Sequence, residues 1–103
     1  MALITGGEGA LAKIISTQLI SSGFEVLSPC HSDLDVGDEL SVKNHFDENI
    51  TGDLDLLINN AGIKKDSVFL NLSEEEWDEV IRVNLRGAFL CSKLALKFLC
   101  KNR

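Results

Sequence analysis

The sequence predicts an α/β fold: a parallel sheet of about three strands flanked by helices, in a single domain covering residues 1–103. Three observations carry this. A short apolar run, Ala2-Leu3-Ile4, passes directly into the glycine-rich turn Thr5-Gly6-Gly7-Glu8-Gly9 and then into a helical apolar pattern. A second β-type run follows that helix within the roughly 30 residues of a strand–helix–strand unit, whose strands are expected to be parallel. A third run, Leu54-Asp55-Leu56-Leu57-Ile58, is nearly continuous in apolar residues, as in strands covered on both faces.

The elements follow in order. After the first strand, Gly6, Gly7 and Gly9 permit a tight backbone and positive φ angles. The next helix directs its free N–H groups and the positive end of its dipole, roughly half a charge, into the turn. Such a turn suits a pyrophosphate, and Gly7-x-Gly9-x-x-Ala12 fits the dinucleotide fingerprint G-x-G-x-x-G/A. From this motif alone, a glycine turn with no ligand is an equal alternative. Glu8 opposes a phosphate unless its carboxylate points outward.

The helix, residues 9–22, carries Leu11, Ile14, Ile15 and Leu19 at helical spacing and stops at Gly23. A second strand at 24–28 ends at Pro29. In the acidic stretch that follows, Asp38 reads as an N-cap with Glu39 in the first turn. The helix it opens runs to about Asn49, with Leu40, Val42, Phe46 and Ile50 as its apolar contributors. The third strand, 54–60, is expected beside the first, on the side away from the second. A fourth strand arises only if the Leu34 stretch pairs.

Residues 61–72 read as a loop, with Lys64, Lys65 and Asp66 solvated. Ser73-Glu74-Glu75-Glu76 is a capping box. One helix is expected from 74 to about 101, on the order of 40 Å long. Its first half is amphipathic, with Trp77 read as core. From Leu85 onward most positions are apolar, and only Arg86, Lys93 and Lys97 form a charged stripe. A helix apolar most of the way round is buried most of the way round. One side can meet the sheet; the other needs a second subunit or more of the same chain. The apolar edge of strand 54–60 raises the same need.

Composition narrows the function classes. Of 103 residues, 45 % are apolar and 25 % charged, ordinary for a globular protein. A net charge of −6 argues against a nucleic-acid partner. No apolar run approaches the roughly 20 residues of a membrane span, and the N-terminus lacks the basic region of a signal peptide. Cys30, Cys91 and Cys100 include no C-x-x-C pair and read as reduced thiols of a cytoplasmic protein. Cys91 and Cys100 are expected to pack as small apolar groups on the last helix. His31 and His45 are not at metal-ligand spacing. His31, Asp33 and Asp35 alternate in a loop read as solvated, so no metal site is expected.

Four motifs occur in order: Thr5-Gly6-x-x-Gly9, Leu34-Asp35-Val36, Asn59-Asn60-Ala61-Gly62 and Val83-Asn84-Leu85-x-Gly87. In order and spacing they resemble the N-terminal, cofactor-binding part of the short-chain dehydrogenase/reductase family. Residues 59–98 are especially similar to its 3-oxoacyl-carrier-protein reductase branch. The resemblance covers the whole chain but well under half of a usual family member. It implies a Rossmann-like fold, truncated relative to the family, that binds NAD or NADP.

Carried over by position, Thr5, Gly6, Gly9 and the backbone at Ala10, Leu11 and Ala12 would line the pyrophosphate. Asp35 would hydrogen-bond the adenine amino group, with Val36 beside the ring. Asn60, Ala61 and Gly62 would pass along the adenine ribose, and Val83 would reach the cofactor. Asn84 matches the family's catalytic asparagine, which supports a proton-relay water. From the residues alone, Asp35 can instead cap a turn, and Asn59 and Asn60 can simply tie strand ends. Asn84, disfavoured in mid-helix, can serve a buried hydrogen bond.

The chain also departs from the family. The usual helix and strand between the second strand and Leu34-Asp35-Val36 are absent. Cys30 or His31 stands where an acid would accept the 2′-OH of NAD, and Gly9 replaces an arginine that favours NADP. Cofactor choice is therefore open. The family continues into a strand bearing a serine and a helix bearing Tyr-x-x-x-Lys, whereas this sequence ends at Arg103 and contains no tyrosine. The expected function is the N-terminal portion of an NAD(P)-dependent oxidoreductase, not catalytic as this chain alone. The alternative is a non-enzymatic dinucleotide-binding or oligomer-forming module. Expected partners are the dinucleotide and, through helix 74–101 and strand 54–60, a second copy or the missing C-terminal half. Substrate selectivity would lie mostly in that half.

Overall fold

The most apolar strand takes the centre. In the computed structural model, which describes residues 1–63 and 69–99, β1 (Ala2–Ile4) is fully buried and lies between β2 (Val26–Leu27) and β3 (Leu56–Ile58). Both pairings are parallel, as expected. Ala2 and Leu3 stand opposite Val26 and Leu27, and Ala2, Leu3 and Ile4 opposite Leu56, Leu57 and Ile58. The flanking strands are shorter than 24–28 and 54–60 because a three-residue β1 can pair with no more. The Leu34 stretch adds no strand among the described residues. Its N–H donates to the Cys30 carbonyl in a turn (2.9 Å), and Leu34 and Val36 enter the core as loop residues.

Alternation along β1 sends its side chains to two layers. Helix α1 (Ala10–Ser21) packs on β1 and β2, with Ala12 fully buried. Leu11 and Ile14, expected inward, are exposed. A sheet of three such short strands is too narrow to cover the whole apolar stripe of α1. On the other face, Leu3 joins Val42 and Phe46 of α2 (Glu39–Asn49) in the main core. Asp38 caps α2 as expected, its Oδ1 accepting from the Leu40 N–H at 3.1 Å. Leu40 itself is exposed: it sits in the first turn of α2, off the face that carries Val42, His45 and Phe46.

The single helix expected over 74–101 is interrupted. A 3-10 turn (Phe69–Asn71) leads to α3 (Glu74–Ile81), then a π-helical turn (Arg82–Arg86), then α4 (Gly87–Leu99). Ser73 Oγ accepts from the Glu76 N–H at 3.0 Å, so the cap falls where the sequence puts it. Trp77, expected in the core, is 54 % exposed, because α3 has no described neighbour on that side. In α4, Gly87, Cys91 and Ala95 are buried, while Phe89 and Leu96 on the opposite side, and Leu85 in the preceding π-helical turn, are exposed. Burial pushes the Cys91 thiol up to about 11, so it packs as an apolar group. Phe98 meets Phe46 of α2 with ring centroids 6.0 Å apart. The expectations for Cys100, the helix end at 101, and Lys64, Lys65 and Asp66 lie outside the described residues. Among the described residues no helix is long and apolar enough to cross a membrane, and no group of His, Cys, Asp and Glu could hold a metal ion.

Candidate functional site

The carboxyl ends of the three strands are laced together by the glycine turn. Gly6 has φ +67°, and a Cβ there would stand 2.8 Å from the Ala61 Cα. A Cβ on Gly7 would strike the Ser28 carbonyl, so the turn is pressed between the exits of β2 and β3. The Gly7 N–H donates to the Pro29 carbonyl at 2.8 Å. Thr5 Oγ1 accepts from the Asn60 and Ala61 N–H groups at 3.1 and 3.0 Å, and Asn60 Nδ2 donates to the Gly6 carbonyl at 3.2 Å. Ligand clefts in open parallel sheets form at this end, where strand order reverses about the central strand.

The start of α1 faces the same place. No side chain caps it and its first turn holds no acid, in contrast to the Asp38 and Ser73 caps and acidic first turns of α2 and α3. Its first internal hydrogen bond runs from the Lys13 N–H to the Gly9 carbonyl at 3.2 Å. The N–H groups of Ala10, Leu11 and Ala12 are therefore left for an anion.

A cavity of about 500 Å³ opens there. Gly6, Gly9, Ala10 and Leu11 form one wall, Leu34 and Val36 a second. Asn60, Ala61 and Gly62, continuing from β3, form a third, and Val83 closes the base from the π-helical turn. The fold thus brings together nine of the residues singled out by sequence, contributed by four separate segments.

The side chains of Thr5, Asp35 and Asn84 do not line this cavity. Thr5 is 1 % exposed, and its hydroxyl is spent on the β1–β3 lacing. Asp35 Oδ1 accepts from the Gly37 N–H at 3.2 Å, an Asx turn, and both carboxylate oxygens accept from Arg82 Nη1 at 3.1 and 3.2 Å. The same guanidinium forks onto Glu79 through Nε and Nη2 at 3.0 and 2.8 Å. Hydrogen bonding to Glu79 first, then to Asp35, holds Arg82 above its ordinary pKa. Asn84, in the π-helical turn, brackets the Ile63 peptide: Oδ1 accepts from its N–H and Nδ2 donates to its carbonyl, both at 2.7 Å.

Sequence reasoning did not assign Leu34, Ile63 or Glu79 to the lining, nor find the clamp of Arg82 on Asp35; it raised Glu8 only as a charge opposing a phosphate, and His31 as standing where an acid would meet the 2′-OH. Of these, the Glu79–Arg82 pair at helical i,i+3 spacing was readable. The rest are loop placements without a periodic signal.

The comparisons with known proteins agree with this fold. A family model described as short chain dehydrogenase matches residues 31–103. The 3-oxoacyl-[acyl-carrier-protein] reductase FabG of Aquifex aeolicus is 36 % identical over 104 residues, covering 98 % of this chain and 41 % of that protein. Among solved structures, the 3-ketoacyl-(acyl-carrier-protein) reductase of Brucella melitensis complexed with NADH superposes with a TM-score of 0.90 at 23 % identity. That match covers 98 % of this chain and 50 % of the other, and shows the fold alone. ElxO with NADP bound superposes at 0.87 with 26 % identity, over 98 % of this chain and 50 % of its own. The chain spans about half the length of these relatives, or less.

Proposed function

Because the chain belongs to the short chain dehydrogenase family, we propose that it is the dinucleotide-holding N-terminal portion of an NAD(P)-dependent oxidoreductase acting on carbonyl or alcohol substrates. One observation carries the reading: the uncapped start of α1 opens into a cleft shaped by Gly6 at positive φ and backed by Ala61. A dinucleotide fits what the chain presents: a Cβ at Gly6 would strike the Ala61 backbone, so glycine lets the turn close against the exit of β3 and leave the cradle open. When bound, it would supply the hydride.

The chain's own residues bind and orient. Gly6, Gly9 and the backbone of Ala10 and Leu11 hold the pyrophosphate. Val36 packs beside the adenine, and Asn60, Ala61 and Gly62 run along the ribose. Val83 bounds the inner end. Thr5, Asp35 and Asn84 are positioning residues: Thr5 holds the strand exits, Asp35 fixes the Val36 loop through Arg82, and Asn84 fixes Ile63. Proton transfer needs a donor beside the carbonyl; the family resemblance puts it on a tyrosine, of which this sequence has none, so in this reading the donor is supplied by another part of the enzyme. The proposal treats the chain as one partial domain in the cytoplasm, consistent with the free thiols of Cys30 and Cys91. The exposed faces of α3 and α4 and the outer edge of β3 meet a second copy or the remainder of a longer protein.

Titration with NADH, followed by nucleotide fluorescence or calorimetry, tests the reading. Saturable binding, weakened at least ~10-fold in Gly6→Ala because the methyl strikes the Ala61 backbone and displaces the turn, is the expected result. Absence of binding at millimolar NADH and NADPH in a folded sample would overturn it.

A further inference from the structure

We propose that Glu8 makes this site selective for the dinucleotide that lacks a 2′-phosphate, an assignment that rests on the cofactor reading above. In dinucleotide sites, an acid about 20 residues beyond the glycine turn accepts a hydrogen bond from the ribose 2′-OH, or a nearby arginine receives the 2′-phosphate. Here that region holds His31, 23 residues after Glu8, and neither an acid nor an arginine lines the cavity from it. The missing carboxylate arrives from the other direction. Glu8 reaches across from the glycine turn, and its Oε2 accepts from the His31 N–H at 3.0 Å, with both residues lining the cavity. The carboxylate is thus tied to the exit of β2, and Oε1 is engaged by no described residue.

The surrounding charge sharpens the effect. Among the described residues, only two charged side chains line the cavity, Glu8 and Glu79, and both are acidic. Glu79 is neutralised by the Arg82 fork; Glu8 has no cationic partner among the described residues. Oε1 can accept from a 2′-hydroxyl. A 2′-phosphate, carrying about −1.5 to −2 at neutral pH, would meet this carboxylate with no lysine or arginine among the described lining residues to offset it.

The test compares NADH with NADPH, and 5′-AMP with adenosine 2′,5′-bisphosphate, on the full chain. The wild type is expected to bind the ligand without a 2′-phosphate at least ~10-fold more tightly at low salt, since like-charge juxtaposition disfavours the other. The ratio should shrink as salt rises from about 0.02 to about 0.5 M, because a partly exposed repulsion is screened. Glu8→Gln keeps one oxygen for the His31 N–H, puts an amide NH2 where Oε1 stood, and removes the charge. It should tighten NADPH binding ~10-fold and weaken NADH binding, since the charged acceptor for the ribose hydroxyl is lost. Equal affinities or an NADPH preference in the wild type, a salt-independent ratio, or an unchanged ratio in Glu8→Gln would each overturn the role of Glu8 while leaving the cofactor site standing. Failure of every ligand to bind would overturn both.

Discussion

Thr5 lies in the first sequence motif, yet its hydroxyl is an internal fastening, and Thr5→Val should expose that. The substitution conserves volume at a site only 1 % exposed and removes the acceptor shared by the Asn60 and Ala61 N–H groups. Asn60 keeps a second acceptor, the Ile58 carbonyl at 3.0 Å, so it loses only part of its bonding. Ala61 is left with an unsatisfied, partly buried donor, which costs about 1–3 kcal/mol. Together these amount to about 2–3 kcal/mol, a large share of the roughly 5–15 kcal/mol that stabilises a domain. Thr5→Ser keeps the hydroxyl and gives up one buried methyl, at about 1 kcal/mol. Urea denaturation followed by circular dichroism measures both. With a slope of about 1–3 kcal/mol/M, the Val variant should melt roughly 1–2 M earlier, with Ser between it and wild type. A Val variant as stable as wild type, or a Ser variant weaker than Val, would refute the fastening role.

Two further outcomes are expected. Asn84→Ala removes both bonds to the half-exposed Ile63 peptide and should cost about 1–2 kcal/mol. Asn84→Asp keeps the acceptor for the Ile63 N–H but turns a carboxylate oxygen to the Ile63 carbonyl; faster amide exchange at Ile63 in Asn84→Ala, with a smaller increase in Asn84→Asp, checks it. His45 is buried with Nδ1 unpartnered, and desolvation holds its pKa below the ordinary 6.5 against the opposing pull of Asp33 and Glu48. The unfolded chain then takes up the proton first, so this contribution to stability is complete above pH 6.5 and declines as pH falls below it. Urea midpoints between pH 8 and 5 should show a decline that His45→Gln reduces; identical profiles would show that burial of His45 carries no linkage.

What was legible in the sequence is what repeats or caps. Asp38 and Ser73 announced their helices because short polar side chains at the N-cap satisfy free amides. The strand order followed from two crossovers about one apolar run. Trp77 and Leu40 misled because an apolar residue at helical spacing says which face of its helix it occupies, not whether anything covers that face. Asp35 carried two readings from sequence, adenine contact or turn cap. The cap is built, but the partner that claims its carboxylate, Arg82, lies 47 residues away on another element. The Glu8–His31 contact is equally non-local. Such pairings are decided by how loops meet above the sheet, which neither periodicity nor propensity records.

The π-helical turn over 82–86 explains why one helix can serve the cavity and the core at once. Its inward residues, Val83, Gly87, Cys91 and Ala95, are spaced four apart. In an unbroken α-helix each such step advances about 40° beyond a full turn, so the row would wind through about 120° and lose the core. A π turn accommodates one extra residue without advancing the helix, setting the later residues back by about 100° and gathering the row onto one side. The same insertion gives three consecutive residues three different partners: Arg82 takes Asp35, Val83 the cavity and Asn84 the Ile63 peptide. The lining on both sides of the cavity, Val36 and Ile63, is therefore held from a single turn. Asn84 in mid-helix, costly by propensity, is the residue whose side chain links that turn to the exit of β3.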